Sequence, residues 1–243
     1  MKHRPTDNAN AMILAAGRGE RLRPLTDTTP KPLLEVGGKP IIQWQIEALA
    51  RAGFSRMVIN VSWLAQQFID TLSDGHAFGV DILWSLEHPT PLETAGGIAH
   101  AKHLFADAPI VIVSGDLWHA FDYQTLLPII DHLKTKKRGA HLVMVENPDY
   151  HLSGDFLFGE GKLHPATPDN LKRYPKLTFG NIGVYTPELF AALDPNQPRK
   201  LAPLLSGWID EGIVSAERFD GLWRNIGTVE ELNDVRQKVF AQK

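Results

Sequence analysis

Apolar runs of four to six residues recur through the first part of the chain, each followed by a polar or glycine-containing stretch. They are Ala11–Leu14, Arg56–Val61, Val80–Trp84, Ile110–Val113 and Ala140–Val145. Between them the period changes. Pro40 and Gly53 bracket a segment in which Ile42, Ile46, Leu49 and Ala50 share one helical face, with proline at the start and glycine past the end. Helices are also predicted near Trp63–Leu72, over Thr94–His103, and from a cap at Asp122 toward Leu133. The unbroken run Ile110-Val111-Ile112-Val113 suits a strand buried on both faces of a parallel sheet. Strand–helix alternation of this kind predicts an α/β fold with a doubly wound, mostly parallel sheet.

The second part reads differently. A hairpin is predicted around Glu160-Gly161, joining Gly154–Gly159 to Lys162–His164. Lys176–Tyr185 reads as a strand, Leu201–Glu211 as a helix, and Val214–Phe219 and Leu222–Ile226 as short strands. Thr228-Val229-Glu230-Glu231 has the spacing of a capping box opening a last helix. Met1–Asn10 is polar and reads as a leader. Residues 11–243 are then one domain: a core over 11–145, a mixed portion over 146–227 and a C-terminal helix over 228–243. No internal repeat is visible.

The chemistry concentrates where the first strand ends. Leu14-Ala15-Ala16-Gly17-Arg18-Gly19-Glu20-Arg21-Leu22-Arg23-Pro24 runs on to Pro30-Lys31-Pro32-Leu33. Glycines let backbone N–H groups approach an anion, and arginine and lysine add charge. The string is neither a P-loop, since Pro40 follows Gly38-Lys39 where a hydroxyl is needed, nor a dinucleotide fingerprint, since Leu22 stands at the third glycine. It reads as a site for a polyphosphate, against the alternative of a strand-ending turn with solvated charges. Asp116 in Ser114-Gly115-Asp116 follows the most apolar strand. It is a candidate Mg²⁺ ligand, against the alternative of a turn aspartate. Both lie past strand carboxyl ends, where open α/β sheets bind ligands.

Composition narrows the classes. A net charge of −3 gives no case for a nucleic-acid partner, and the basic run Lys134–Arg138 suits a solvated helix end. With no cysteine, thiolate catalysis and Cys-ligated zinc are excluded. No apolar run approaches a membrane span and no secretory pattern opens the sequence, so a cytoplasmic protein without a membrane partner is expected. The histidines show no ligand spacing, and no hydrolase nucleophile motif occurs. Trp44, Trp63, Trp84 and Trp208 are expected in or around the core. Trp118 and Trp223 are candidates for walls of a substrate pocket.

L-A-A-G-x-G-x-R-x-x-P-L-T followed by P-K-P-L resembles the signature of the sugar-1-phosphate nucleotidyltransferases, and the resemblance extends from Ala11 to the last helix. It implies a Rossmann-like, glycosyltransferase-A-like fold with a smaller sugar-binding portion. The implied partners are a nucleoside triphosphate and a sugar-1-phosphate, with Mg²⁺ as cofactor. Pro91–Ile98, Gly154-Asp155-Phe156 and Lys200–Leu205 resemble the uridylyltransferases of cell-wall recycling. That narrower likeness implies UTP and N-acetylmuramate α-1-phosphate, the alternatives being glucose- or mannose-1-phosphate with UTP, dTTP or GTP, or a non-catalytic nucleotide-sugar sensor. Carried onto this chain, the resemblance makes Arg21, Lys31 and Asp116 the catalytic group. Leu14, Ala15, Ala16, Gly17, Gly19, Glu20, Arg21, Lys31, Pro91, Gly96 and Gly97 would bind nucleotide. Glu93, Thr94, Ser114, Glu146, Gly154, Asp155 and Asn181 would face the sugar, and Asp116 with Asn225 the metal. Two positions depart from the family: Asn225 stands where W-x-D-x-G-T has aspartate, and Ser114 where close relatives carry asparagine. A monomer or weak homo-oligomer is expected, with no appended acyltransferase domain.

Overall fold

The computed structural model describes residues 10–88 and 90–241. Most of the expected leader, residues 1–9, lies outside them, and Asn10 already belongs to the first strand. The elements in chain order are β1 (Asn10–Leu14), α1 (Leu25–Thr28), β2 (Glu35–Val36), β3 (Lys39–Pro40), α2 (Ile41–Arg51), β4 (Arg56–Val61), α3 (Ala65–Leu72), β5 (Asp81–Leu86), α4 (Glu93–Ala101), β6 (Ile110–Ser114) and β7 (Leu117–His119). They continue with α5 (Leu127–Lys134), β8 (Ala140–Val145), β9 (Phe156–Gly159), β10 (Lys162–His164), α6 (Pro168–Arg173), β11 (Lys176–Tyr185), α7 (Leu201–Asp210), β12 (Val214–Arg218), β13 (Trp223–Asn225) and α8 (Val229–Ala241).

Nine strands form the main sheet. β1 lies between β4 and β6, parallel to both, and β5 extends the parallel set beyond β4. The chain leaves β1 toward β4 and β5, then returns to β6 on the other side. A crevice opens at such a reversal, past the strand carboxyl ends. Beyond β6 the sheet departs from a purely parallel set: β11 runs antiparallel between β6 and β8, and β12 pairs parallel with β8. The β9–β10 hairpin extends from the first residues of β11.

The alternation of strand side chains explains why helices cover both faces. Ala11, Ile13, Ile59, Val111 and Val113 pack with Ile42, Ile46 and Leu49 of α2 in one cluster. Met12, Val58, Ile110 and Ile112 pack with Ile98 of α4 and Leu201 and Leu205 of α7 in another. A third cluster seats α8, through Leu232, Val235 and Val239, against Leu22, Trp118 and Ile226, so the last helix braces the charged loop. The capping box forms as expected: Thr228 N–H donates to Glu231 Oε2 at 2.8 Å and Glu231 N–H to Thr228 Oγ1 at 3.3 Å.

Asp122 does act as a cap, accepting from Gln124 N–H at 3.0 Å, but it caps a 3-10 turn over Tyr123–Leu126 that precedes α5. β2, β3, β7 and α6 were not expected. Among the described residues no helix is long and apolar enough to cross a membrane.

Candidate functional site

A cleft of about 700 Å³ opens at the carboxyl ends of β1, β4 and β6. Its first wall is the end of β1, where Leu14, Ala15, Ala16 and Gly17 all line it. Ala15 N–H donates to Asn60 Oδ1 at 2.9 Å, which holds the strand end against β4. Gly19 takes a left-handed φ of 69°, and a Cβ there would sit 3.0 Å from Lys31 Cβ, so glycine lets the loop fold onto Lys31. Thr26 Oγ1 donates to the Gly19 carbonyl at 2.9 Å and fixes that turn. Arg18 is engaged elsewhere, with its guanidinium 3.7 Å from the Trp63 ring centroid and bonded to Thr26 O and Asp27.

Lys31 reaches across the crevice to Asp116, although 85 positions separate them in sequence. The ammonium and the carboxylate form an ion pair, and both side chains are largely buried. Burial works to raise the Asp116 pKa, but Lys31 and a hydrogen bond from Ser114 outweigh it and hold the carboxyl below its ordinary value. Gly115 permits the close approach: its N–H donates to Leu14 O at 2.9 Å, and a Cβ there would lie 3.0 Å from that oxygen.

Asp116 opens a two-stranded ribbon in which β7 pairs antiparallel with β13, Leu117 opposite Asn225. Ile226 N–H donates to the Asp116 carbonyl at 3.0 Å, which brings Asp116 and Asn225 to the same end of the ribbon. From below, Gln45 of α2 donates to Leu117 O at 2.6 Å. Its own carbonyl oxygen accepts from Tyr123 Oη and His119 Nε2, each at 2.8 Å. Phe121 N–H donates to His119 Nδ1 at 3.1 Å, so the neutral ring carries its proton on Nε2. Burial lowers the His119 pKa to about 4.

Two buried oxygens at this end have no hydrogen-bond partner among the described residues: Asp116 Oδ1 and Asn225 Oδ1. Buried polar atoms are normally satisfied, so this pair is an exception that a cation would resolve. No group of three or more acidic or histidine side chains forms a metal cage among the described residues. Tyr150, an exposed residue, brings its hydroxyl to the Asn225 side chain. Burial of that hydroxyl, then the charges of Glu231 and Asp116, push its pKa up to about 12.

On the far side Pro91, Glu93, Thr94, Ser114, Asp155 and Asn181 line the cleft. Glu93 and Asn181 both adopt left-handed φ, 58° and 53°. Asn181 sits where the β11–β8 register shifts between Phe179 and Gly183, a bulge that re-aims a side chain. Trp223 Nε1 donates to Gly180 O at 2.9 Å, and Asp155 Oδ2 accepts from Phe179 N–H at 2.8 Å, so the bulge is held from both sides.

Several expected residues lie off this lining. Glu20 is exposed at the start of a 3-10 turn that is anchored by the buried Leu22, and the Arg21 guanidinium lies beside Gly227 at the outer edge of the Asp116–Asn225 end. Gly96 packs against the chain at Gln197, where a Cβ would meet its carbonyl at 2.6 Å, and Gly97 leaves room for the Glu87 carboxylate. Glu146 is exposed past β8, and Gly154 makes a turn with φ 59° against Asn147 and Lys176. Trp118 and Trp223 are core residues, not pocket walls.

Asn60 and Glu87, missed from sequence, are buried in the cleft floor. Asn60 Nδ2 donates to Glu87 Oε1 at 2.7 Å, and Leu92 N–H donates to Glu87 Oε2 at 2.6 Å. The chain Ala15–Asn60–Glu87–Leu92 ties the first cleft wall to the segment entering α4. One signal was available: Asn60 is the polar residue inside the otherwise apolar run Met57–Val61. Tyr185 and Lys200 also line the cleft, and the Tyr185 hydroxyl is buried without a partner among the described residues.

Residues 10–154 match the family model described as nucleotidyl transferase. An N-acetylmuramate alpha-1-phosphate uridylyltransferase from Neisseria meningitidis is 44% identical over 238 residues, covering 96% of this chain and 99% of the relative. The chain belongs to the nucleotidyl transferase family. A Caulobacter vibrioides protein of the same name is 30% identical, over 89% of this chain and 91% of its own. Among solved structures, the inositol-1-phosphate CTP transferase from T. maritima superposes with a TM-score of 0.73 at 18% identity, covering 95% of both chains. The last likeness shows the fold alone. The protein is thus a sugar-1-phosphate nucleotidyltransferase with a Rossmann-like core, as the early glycine–arginine string implied.

Proposed function

We propose that this transferase moves a uridylyl group from UTP to N-acetylmuramate α-1-phosphate, giving UDP-N-acetylmuramate and pyrophosphate in cytoplasmic cell-wall recycling. A phosphate oxygen of the sugar phosphate forms a bond to the α-phosphorus of UTP, and the bond from that phosphorus to the bridging oxygen of the β-phosphate breaks. The nucleophile is already an anion, so no protein base is needed, and positioning with charge stabilisation does the work. The observation that carries this reading is the meeting of Lys31 and Asp116 inside the cleft, beside the glycine loop.

Gly17 and Gly19 would present backbone to the triphosphate, Lys31 would bridge its α-phosphate and the incoming phosphate, and Arg21 would approach from the rim. Glu93, Thr94, Ser114, Asp155 and Asn181 would contact the sugar. Asp116 and Asn225 fit a single Mg²⁺, because their unpartnered oxygens share one end of the ribbon. Bound there, the ion would supply neutralisation of phosphate charge. The amide brings no negative charge, so weak metal affinity is expected.

Pyrophosphate release measured with UTP, dTTP, GTP and CTP against N-acetylmuramate-, glucose- and mannose-1-phosphate tests the proposal. Turnover is expected with UTP and the N-acetylmuramate ester. A preference for a hexose phosphate, or nucleotide-sugar binding without pyrophosphate release, would replace it with the corresponding alternative.

A further inference from the structure

Lys200 lines the cleft yet forms no ion pair with any described residue, whereas Lys31, the other lysine of the lining, is taken by Asp116. Its position is built, not incidental. The preceding residue, Arg199, is locked to the start of α4 through its backbone. Its carbonyl accepts from Ala95 N–H at 2.8 Å and Gly96 N–H at 3.1 Å, and its N–H donates to Leu92 O at 2.9 Å. The absence of a side chain at Gly96 lets that segment dock so closely. Lys200 follows in extended conformation, φ −75° and ψ 140°, as the residue before α7.

The surroundings define what this cation would meet. Leu201, Ala202 and Leu205 of α7 and Phe156 and Phe179 give that region of the lining apolar surface. The Tyr185 hydroxyl, buried beneath in the cluster that holds Leu201 and Leu205, is a further unpartnered donor. An ammonium beside apolar surface and a spare hydroxyl suits an anionic substituent carried on a small hydrocarbon group. An N-acetylmuramyl ester carries such a group in its lactyl ether, a carboxylate with one methyl; N-acetylglucosamine-1-phosphate is the same sugar without it.

We infer that Lys200 binds a carboxylate on the sugar, so that the transferase selects sugar acids over neutral sugars with the same ring. The inference rests on the proposed sugar-phosphate reading of the cleft. A charge-assisted hydrogen bond of this kind changes affinity by roughly 10- to 100-fold.

The test is steady-state kinetics of the native chain, Lys200→Met and Lys200→Glu with N-acetylmuramate-1-phosphate and N-acetylglucosamine-1-phosphate, UTP saturating, with thermal melting to confirm folding. For Lys200→Met the expected result is a KM for the acidic ester raised roughly 10- to 100-fold, with KM for the neutral ester and for UTP unchanged. Lys200→Glu should weaken the acidic ester further and spare the neutral one. Equal losses for both esters would assign Lys200 to the shared phosphate and overturn the inference. So would unchanged kinetics. A native chain inactive with both esters would instead remove the underlying reading.

Discussion

The two sides of the cleft are built in different ways. On the β1–β4–β5 side, straight parallel strands end together and hold their loops through short buried polar links, Ala15 to Asn60 to Glu87 to Leu92. On the β8–β11 side, the same task falls to a register shift, a left-handed asparagine and a loop docked on a glycine. The first construction fixes backbone and presents it. The second aims individual side chains. A polyphosphate is common to every reaction of this class and suits a backbone frame, whereas the sugar varies and suits residues that can be exchanged singly.

The contrast can be broken most sharply at Lys31. Lys31→Ala should lower kcat by about 10³-fold or more, the scale of losing a cation that stabilises developing charge, and should also lower the melting temperature, because Asp116 is left buried without its ion-pair partner. A pyrophosphate-release rate within tenfold of native would show that the frame alone suffices.

Next in size is a pH effect on the brace beneath the ribbon. Native His119 has a depressed pKa of about 4, so the folded state binds fewer protons than the unfolded state below the ordinary histidine value. Stability from this site is therefore full above about pH 6.5 and falls as pH drops toward 4, by up to about 3 kcal/mol. Urea unfolding at pH 7 and pH 4.5 should show this loss in the native chain and a smaller one in His119→Gln.

The buried link allows a finer test. Glu87→Gln leaves a donor facing a donor and should raise KM for UTP roughly 10- to 100-fold. Adding Asn60→Asp moves the charge across the pair. The carboxylate introduced at position 60 then accepts from both Ala15 N–H and the amide introduced at position 87, whose carbonyl accepts from Leu92 N–H. The double variant should recover nucleotide affinity, and failure to recover would mean that the charge at 87, not the link, matters.

The smallest effect is expected at the asparagine of the bulge. Asn181→Gly relieves a left-handed backbone, worth about 1 kcal/mol at most, yet removes a side chain from the sugar side. Melting temperature should hold or rise slightly, while KM for the sugar phosphate increases and KM for UTP does not.

What could be read from sequence follows the same division. Leu14–Gly17 and Asp116 were legible because they lie at strand ends in a regular alternation, and Lys31 because of the proline–lysine–proline string that holds it; the structure brings these to one crevice, while the arginines of the loop lie off its lining. β7 escaped because three residues after a turn carry no periodicity. Asn60 and Glu87 were passed over because each makes sense only through a partner that is distant in sequence. Gly96 and Gly97 were read as ligand contacts, whereas the space they leave is filled by Gln197 and Glu87. Asn181 was found by position, but its aim depends on a bulge that local pattern does not announce.

Trp223 and Asn225 lie two residues apart on a three-residue strand, the first anchoring Gly180 and the second paired with Leu117, the residue after Asp116. On the proposed reading, in which Asn225 would hold the ion and Asn181 would contact the sugar, cation preference and sugar choice share one lever. An exchange that restores aspartate at 225 would also tug on the neighbour of Asn181, and descendants that switch ions should be found to have retuned their carbohydrate pocket as well.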